Sequence, residues 1–137
     1  MTLRFFWLDG KYRHDPACNS DVLTDDGVDI LACLLMDDGG QGYERSVPWL
    51  EEGLERVRQL RSGAADCLDW SRDSWAATLT VEQVTLRSLY EERCSATVSL
   101  EEFESALAAW LDFISEGLKR GQIYFSTLKL DAESGLE

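Results

Sequence analysis

Basic residues and histidine are scarce in this chain of 137 residues. It has 13 Lys+Arg against 26 Asp+Glu, a net charge of −13, and a single histidine, His14. Such a charge repels nucleic acid and anionic lipid and attracts cationic partners. One histidine excludes a multi-histidine zinc site, and any Cys-His or Ser-His-Asp catalytic system would have to use it. Because His14 lies between Arg13 and Asp15 in a predicted turn, we interpret it as a surface residue.

Paired cysteine motifs and long apolar segments are also missing. The four cysteines are too far apart for the CxxC motif of a zinc knuckle or thioredoxin-type site; they are Cys18, Cys33, Cys67 and Cys94. No segment approaches the roughly 18 apolar residues of a membrane span, and the N-terminus does not read as a signal peptide. We therefore expect a cytoplasmic protein without membrane contact, whose reduced cysteines are mostly buried as small hydrophobic residues.

The remaining composition is that of a folded domain. Hydrophobic residues make up 45% of the chain and aromatic residues 10%, whereas disordered chains combine high charge with few aromatics. A chain of this length forms one ordinary domain, which buries roughly two-thirds of its unfolded surface. We predict a single globular domain over residues 1–130 and a frayed tail over residues 131–137.

Hydrophobic periodicity predicts an α+β fold, a small antiparallel sheet packed by about three helices. Alternating patterns predict strands near residues 3–8, 75–80 and 84–90. Apolar stripes at helical spacing predict helices near residues 25–36, 47–61 and 100–119. The shorter predictions are a hairpin partner near residues 11–14, a linker over residues 64–73 and a last strand at residues 123–125.

The ends of the predicted helices carry recognisable signals. Ser99 and Glu102 form a capping box before the third helix, and Gly121 is a predicted C-cap. Thr24 or Asp25 is the predicted cap of the first helix.

The segment between Arg13 and Arg45 is the main candidate for function. It contains eight carboxylates and no lysine or arginine. Residues 37–42, with the sequence DDGGQG, place two acids after a predicted helix, where the helix dipole disfavours them, beside glycines that cost entropy to order. A local cost without a structural return is typical of functional segments. The alternative is a mobile solvated loop.

Aromatic residues flank these acids, and anchors combined with charge are typical of protein interfaces. We predict a partner-binding surface made of Asp25, Asp26, Asp29, Asp37, Asp38, Tyr43, Glu44, Asp66, Asp69 and Trp70. Trp49 and Trp110 lie on apolar stripes and are predicted core residues, whereas Trp75 fits either role.

Carboxylate chemistry is the competing interpretation of the same acids. Asp25, Asp26 and Asp29 could share a helix face, and paired carboxylates can serve acid/base or metal chemistry. The glycine-rich segment nevertheless does not match a calcium loop, and it lacks the lysine of a phosphate loop. We predict no catalytic residue, metal or cofactor, and we keep a small carboxylate-using or metal-dependent enzyme as the alternative.

The C-terminal half resembles a known kind of module. The segments are SWAATLTVEQVTL (residues 74–86), VSLEEF (residues 98–103) and AAWLDF (residues 108–113). They resemble the strand, strand, helix module of small bacterial immunity proteins of polymorphic toxin systems, of the contact-dependent inhibition and type VI secretion types. The resemblance implies a cytoplasmic inhibitor that binds one cognate toxin domain and blocks its active site.

Many antibacterial toxins act on nucleic acids or nucleotides and so present basic active-site clefts. The resemblance therefore implies that the acidic surface mimics an anionic substrate and accelerates association with the cognate toxin domain. An adaptor or chaperone for a secreted effector is a further alternative of the same binding class.

Overall fold

The computed structural model describes residues 1–10, 14–91 and 93–134, and within the last helix it describes side chains as far as Arg120. Within these residues the chain forms two antiparallel sheets and three α-helices, which confirms the predicted α+β class. The strands are β1 (Leu3–Asp9), β2 (His14–Ser20), β3 (Leu68–Ser71), β4 (Trp75–Leu79), β5 (Val84–Ser88) and β6 (Ser95–Val98). The helices are α1 (Ile30–Met36), α2 (Val47–Arg61) and α3 (Leu100–Ser134), and a 3-10 turn covers Tyr43–Arg45.

The strands are divided differently from the prediction, which placed the first strand in the main sheet. β1 pairs with β2 in a sheet of its own, with Phe5 opposite Cys18. The four-stranded sheet has the order β3-β4-β5-β6. The predicted linker over residues 64–73 was wrong because it contains β3, in which Trp70 lies opposite Ala77. Of the predicted hairpin partner near residues 11–14, residues 11–13 lie outside the described part of the chain.

Helix α1 begins later than predicted. Gly27 adopts a left-handed conformation with φ +86°, and its N–H donates to the carbonyl of Thr24 over 3.0 Å. This turn keeps residues 24–28 out of the helix, so the cap is Asp29 rather than Thr24 or Asp25. Glycine is the residue that most readily takes the positive φ that such a turn requires.

The other two helices carry their predicted start signals. Helix α2 covers Val47–Arg61 as expected, and Glu52 pairs with Arg56 one turn later at 2.9 Å. The capping box of α3 is confirmed, since the Ser99 hydroxyl accepts from the Glu102 N–H and the Glu102 carboxylate accepts from the Ser99 N–H.

The predicted end of α3 was wrong. Its backbone continues through Gly121 and residues 123–125 to Ser134, so these residues form neither a C-cap nor a last strand. A glycine inside a helix costs only about 1 kcal/mol relative to alanine, which the rest of a long helix can offset. The frayed tail from residue 131 stays a prediction, and residues 135–137 lie outside the described chain. Among the described helices, none combines the length and apolar character needed to cross a membrane.

The core lies where the helices cover one face of the four-stranded sheet. Trp49 of α2 stacks on Trp70 of β3 with ring centroids 4.1 Å apart, and Phe103 of α3 meets Trp70 edge-on. Gly53 makes this packing possible, because a Cβ there would lie 2.9 Å from the Trp70 ring. Trp49 and Trp110 are buried, which confirms their prediction as core residues. Trp75 is half-buried and packs against the same core.

Candidate partner-binding surface

Asp37 fastens the acidic segment to the main sheet. It follows the last residue of α1, and its Oδ2 accepts from the backbone N–H groups of Ser74 at 2.8 Å and Trp75 at 3.3 Å. Its Oδ1 accepts from the Gly39 N–H at 3.2 Å. A carboxylate at the C-terminal end of a helix is disfavoured by the helix dipole. Here that cost is offset by the three backbone N–H groups that donate to the charged Asp37 carboxylate. Asp37 orders the segment rather than being fully available to a partner.

The segment beyond Asp37 is a turn supported by glycine conformations. Asp38 accepts from the Gly40 N–H at 2.8 Å through its side chain and from Arg72 at 3.3 Å through its carbonyl oxygen. Gly39 and Gly40 have φ of +62° and +77°. The guanidinium of Arg72 also lies 5.0 Å from the centre of the Trp49 ring, so the turn is tied to the core. These contacts argue against the alternative of a mobile solvated loop.

A cleft of about 240 Å³ lies beside this turn. Asp15 of β2 and Asp38 contribute carboxylates to its wall, and Tyr43 contributes an aromatic ring. Met36, which is 37% exposed, and the half-buried Pro16 supply apolar surface. A cleft with carboxylates and apolar surface suits a lysine or arginine side chain, whose methylene stem packs on apolar atoms while its charged head meets the acids.

Tyr43 is held by a second aromatic cluster on β1. Its ring meets Trp7 edge-on with centroids 5.6 Å apart, and Trp7 stacks on His14 at 4.6 Å. His14 is exposed and contacts the Asp9 carboxylate, which confirms its prediction as a surface residue. On its other side Trp7 lies against Gly117 of α3, where an added Cβ would lie 2.2 Å from the ring.

The three acids before α1 have separate roles. Asp29 accepts from the Ser20 N–H at 2.5 Å, the Ser20 hydroxyl at 2.6 Å and the Ala32 N–H at 3.1 Å. It is therefore the N-cap of α1 and the link from that helix to the end of β2. Asp26 accepts from the Thr24 hydroxyl at 2.6 Å, while Asp25 is exposed. The helix face on which these acids were expected to meet does not form.

The remaining predicted residues are spread over the molecule. Glu44 is exposed in the 3-10 turn next to Tyr43, close in sequence to the cleft. Asp66 and Asp69 are also exposed, and Asp69 accepts from the Thr78 hydroxyl at 2.9 Å across the main sheet. The acids of the prediction thus form several surfaces, of which the cleft beside Asp38 joins charge to an aromatic side chain.

Trp70 was wrongly predicted to anchor a partner. Its side chain is 1% exposed, and its indole N–H donates to the Trp49 carbonyl at 3.1 Å. A tryptophan with its hydrogen bond satisfied inside the core has no surface to offer another protein. Its neighbour Asp69 points away from the core because side chains alternate along a strand.

Three of the four cysteines have raised thiol pKa values. All four are free thiols, as expected, but the prediction that they are mostly buried was wrong, because only Cys18 is buried, Cys33 and Cys94 are half-buried and Cys67 is exposed. Burial, followed by the charge of Asp29 and the neighbouring Cys33, raises the pKa of Cys18 from its ordinary 9.0 to about 12. Burial also raises the pKa of Cys33 and of Cys94. Because the thiolate is the nucleophile, these shifts disfavour cysteine chemistry at neutral pH.

Sequence reasoning missed part of the cleft. Asp15 belongs to the acidic run and was counted there, but the packing of β2 against α1 is what places it around the same cleft as Asp38 and Tyr43. The sequence did not indicate that Arg72 and Trp7 support the cleft, since their roles depend on contacts with residues distant in sequence. Among the described residues, no three His, Cys, Asp or Glu side chains are grouped so that they could hold a metal ion.

Comparisons with known proteins found no relative of this chain. The chain matches no protein-family model, no curated protein and no solved structure.

Proposed function

We propose that this protein is a cytoplasmic immunity protein that binds and neutralises a cognate antibacterial toxin domain. The observation that carries the proposal is the cleft lined by Asp15, Asp38 and Tyr43 together with the apolar Pro16 and Met36. The turn beside it is held in place by Asp37 and Arg72, so its acids are already ordered before a partner arrives. Preordered groups lose less conformational entropy on binding.

The charge of the whole protein supports the same partner. A net charge of −13 creates a field that attracts a basic cleft, such as the active site of a toxin that acts on nucleic acids, and speeds the encounter. In this proposal a basic side chain of the toxin enters the cleft, and the acids around it occupy the surface that would otherwise hold the anionic substrate.

A growth assay tests the proposal. The protein is co-expressed with the C-terminal domain of a secreted toxin encoded beside it, and we expect growth to be restored and a stoichiometric complex to be isolated. Asp38→Arg should abolish protection, because it places a positive charge in the cleft. Glu82→Arg, at the exposed turn between β4 and β5, makes the same charge change and should leave protection intact. Equal protection by both variants would contradict the cleft assignment.

The other two candidates predict different results. An adaptor or chaperone would bind an effector without suppressing any lethality in this assay. A carboxylate-dependent metalloenzyme would take up magnesium, calcium or manganese stoichiometrically in calorimetry. We expect no such uptake, because the carboxylates of Asp29 and Asp37 are engaged by backbone N–H groups.

A further inference from the structure

The two edges of the four-stranded sheet differ in whether side chains cover their outward backbone groups. On the β3 edge, the outward carbonyl of Asp69 accepts from the Arg56 side chain at 2.7 Å. The outward carbonyl of Ser71 accepts from the Trp49 indole at 3.0 Å. Side chains of α2 therefore block this edge. Natural proteins commonly cover sheet edges in this way, because unpaired backbone groups are a template for another strand.

The β6 edge has no comparable cover among the described residues. The Ser88 N–H donates to the Cys94 carbonyl at 3.0 Å. This bond shows which opposite residues of β5 and β6 are hydrogen-bonded pairs and which are not. With Leu86 opposite Ala96 and Val84 opposite Val98, the backbone groups of Ala96 and Val98 face β5. Those of Ser95 and Thr97 face outward, since bonded and non-bonded pairs alternate in an antiparallel ladder. Two N–H groups and two carbonyls are thus presented along one edge.

A groove of about 440 Å³ runs along this edge and has an acidic lining. Asp21, Asp25 and Glu102 line it, together with Leu23, which is 51% exposed. Met1 also lines the groove, and its ammonium group lies 3.9 Å from the Glu102 carboxylate, so the three acids outnumber one positive charge. A hydrogen bond from the Thr2 backbone lowers the pKa of Asp21, and one from the Ser99 backbone lowers that of Glu102. The groove shares none of its described lining residues with the cleft beside Asp38.

We propose that the β6 edge binds an extended basic segment of a partner protein as a fifth strand of the sheet. Ser95 and Thr97 supply the main-chain hydrogen bonds, and basic side chains at alternate positions of the segment meet the carboxylates of the groove. A second copy of this chain is the less suitable occupant, because both copies would carry a charge of −13. The inference does not depend on the proposed function, since it concerns a different surface.

Amide hydrogen exchange measured by NMR tests the edge directly. In the free protein the amides of Ser95 and Thr97 should exchange faster than those of Ala96 and Val98. The probe is the capped peptide Lys-Val-Lys-Val-Lys-Val, whose lysines share one face of a strand. At saturation it should slow exchange at Ser95 and Thr97 by roughly tenfold or more. The same peptide N-methylated at every residue should not, because methyl groups then block both edges of the strand, and Glu-Val-Glu-Val-Glu-Val should not bind.

Two variants separate main-chain pairing from general attraction. Thr97→Pro removes an outward N–H without removing a bond to β5, whereas Thr97→Val keeps the backbone and the branched side chain. We expect only Thr97→Pro to lose peptide binding, with both variants folded by far-UV circular dichroism. Equal protection by the N-methylated peptide would overturn the proposal. So would protection that appears without peptide as the protein concentration rises, because a second copy would then occupy the edge.

Discussion

Replacing Asp29 with alanine tests whether the acids before α1 are structural or exposed for binding. Asp29→Ala removes the N-cap of α1 and the two hydrogen bonds that Ser20 donates at the end of β2. Ser20 and Asp29 are half-buried, so water replaces the lost contacts only in part. The substitution should therefore loosen the junction between the two-stranded sheet and the first helix.

The magnitude follows from these contacts. Loss of an N-cap costs about 1 kcal/mol, within a range of roughly 0.5–2. A hydrogen bond to a charged group contributes about 1.5–3 kcal/mol, but the two bonds from Ser20 are partly exposed and share one acceptor group. We expect the free energy of unfolding to fall by about 2–4 kcal/mol in total.

The matched control is Asp25→Ala, four residues earlier in the same acidic run. Both variants remove one negative charge from a protein of charge −13, so the relief of long-range repulsion is the same. Asp25 is exposed, and its loss should change the free energy of unfolding by less than about 0.5 kcal/mol. Urea unfolding followed by tryptophan fluorescence measures both. If the two variants differ by less than about 0.5 kcal/mol, the structural role of Asp29 is refuted.

Four further predictions concern other parts of the fold. Gly117→Ala should lower stability by about 1–3 kcal/mol in thermal unfolding, because the new methyl group would overlap the Trp7 ring; no loss would contradict that packing. Ser99→Ala should cost about 1 kcal/mol in urea unfolding by removing the cap of α3, and Ser99→Asp should restore most of it. The exposed Cys67 should react with a thiol reagent in the native state, whereas Cys18 should react only on unfolding. Because the Cys18 pKa is raised from 9.0 to about 12, its contribution to stability is complete below pH 9 and is lost as the pH rises towards 12, which unfolding at pH 8 and pH 10.5 would detect.

The parts of the fold that the sequence predicted depend on neighbours in sequence. The capping box is made by Ser99 and Glu102, three residues apart, and the stripe of α2 repeats over four turns. Local hydrogen bonds and periodicity of this kind are visible without knowing the fold. The end of α3 was missed because glycine is a common stop signal, whereas this long helix continues through Gly121 despite a cost of about 1 kcal/mol relative to alanine.

The candidate site was harder to predict because its contacts join distant residues. Asp37 binds Ser74, 37 residues away, so its cost at the helix end looked unbalanced. Trp70 was placed on the surface because acids surround it in sequence, although the alternation of a short strand puts it in the core. The cleft needs Asp15 near Asp38, and that proximity depends on the packing of β2 against α1, which the sequence does not indicate.

The most direct test of the central claim is the association rate with the toxin domain from the growth assay, measured by stopped flow at several salt concentrations. Asp38→Asn combined with Glu44→Gln removes two charges near the cleft, and Glu55→Gln combined with Glu82→Gln removes two elsewhere. We predict that the first pair slows association at low salt by roughly threefold to tenfold and flattens its salt dependence, with a smaller effect of the second pair. Identical rates for the two variants would contradict a binding surface at the cleft.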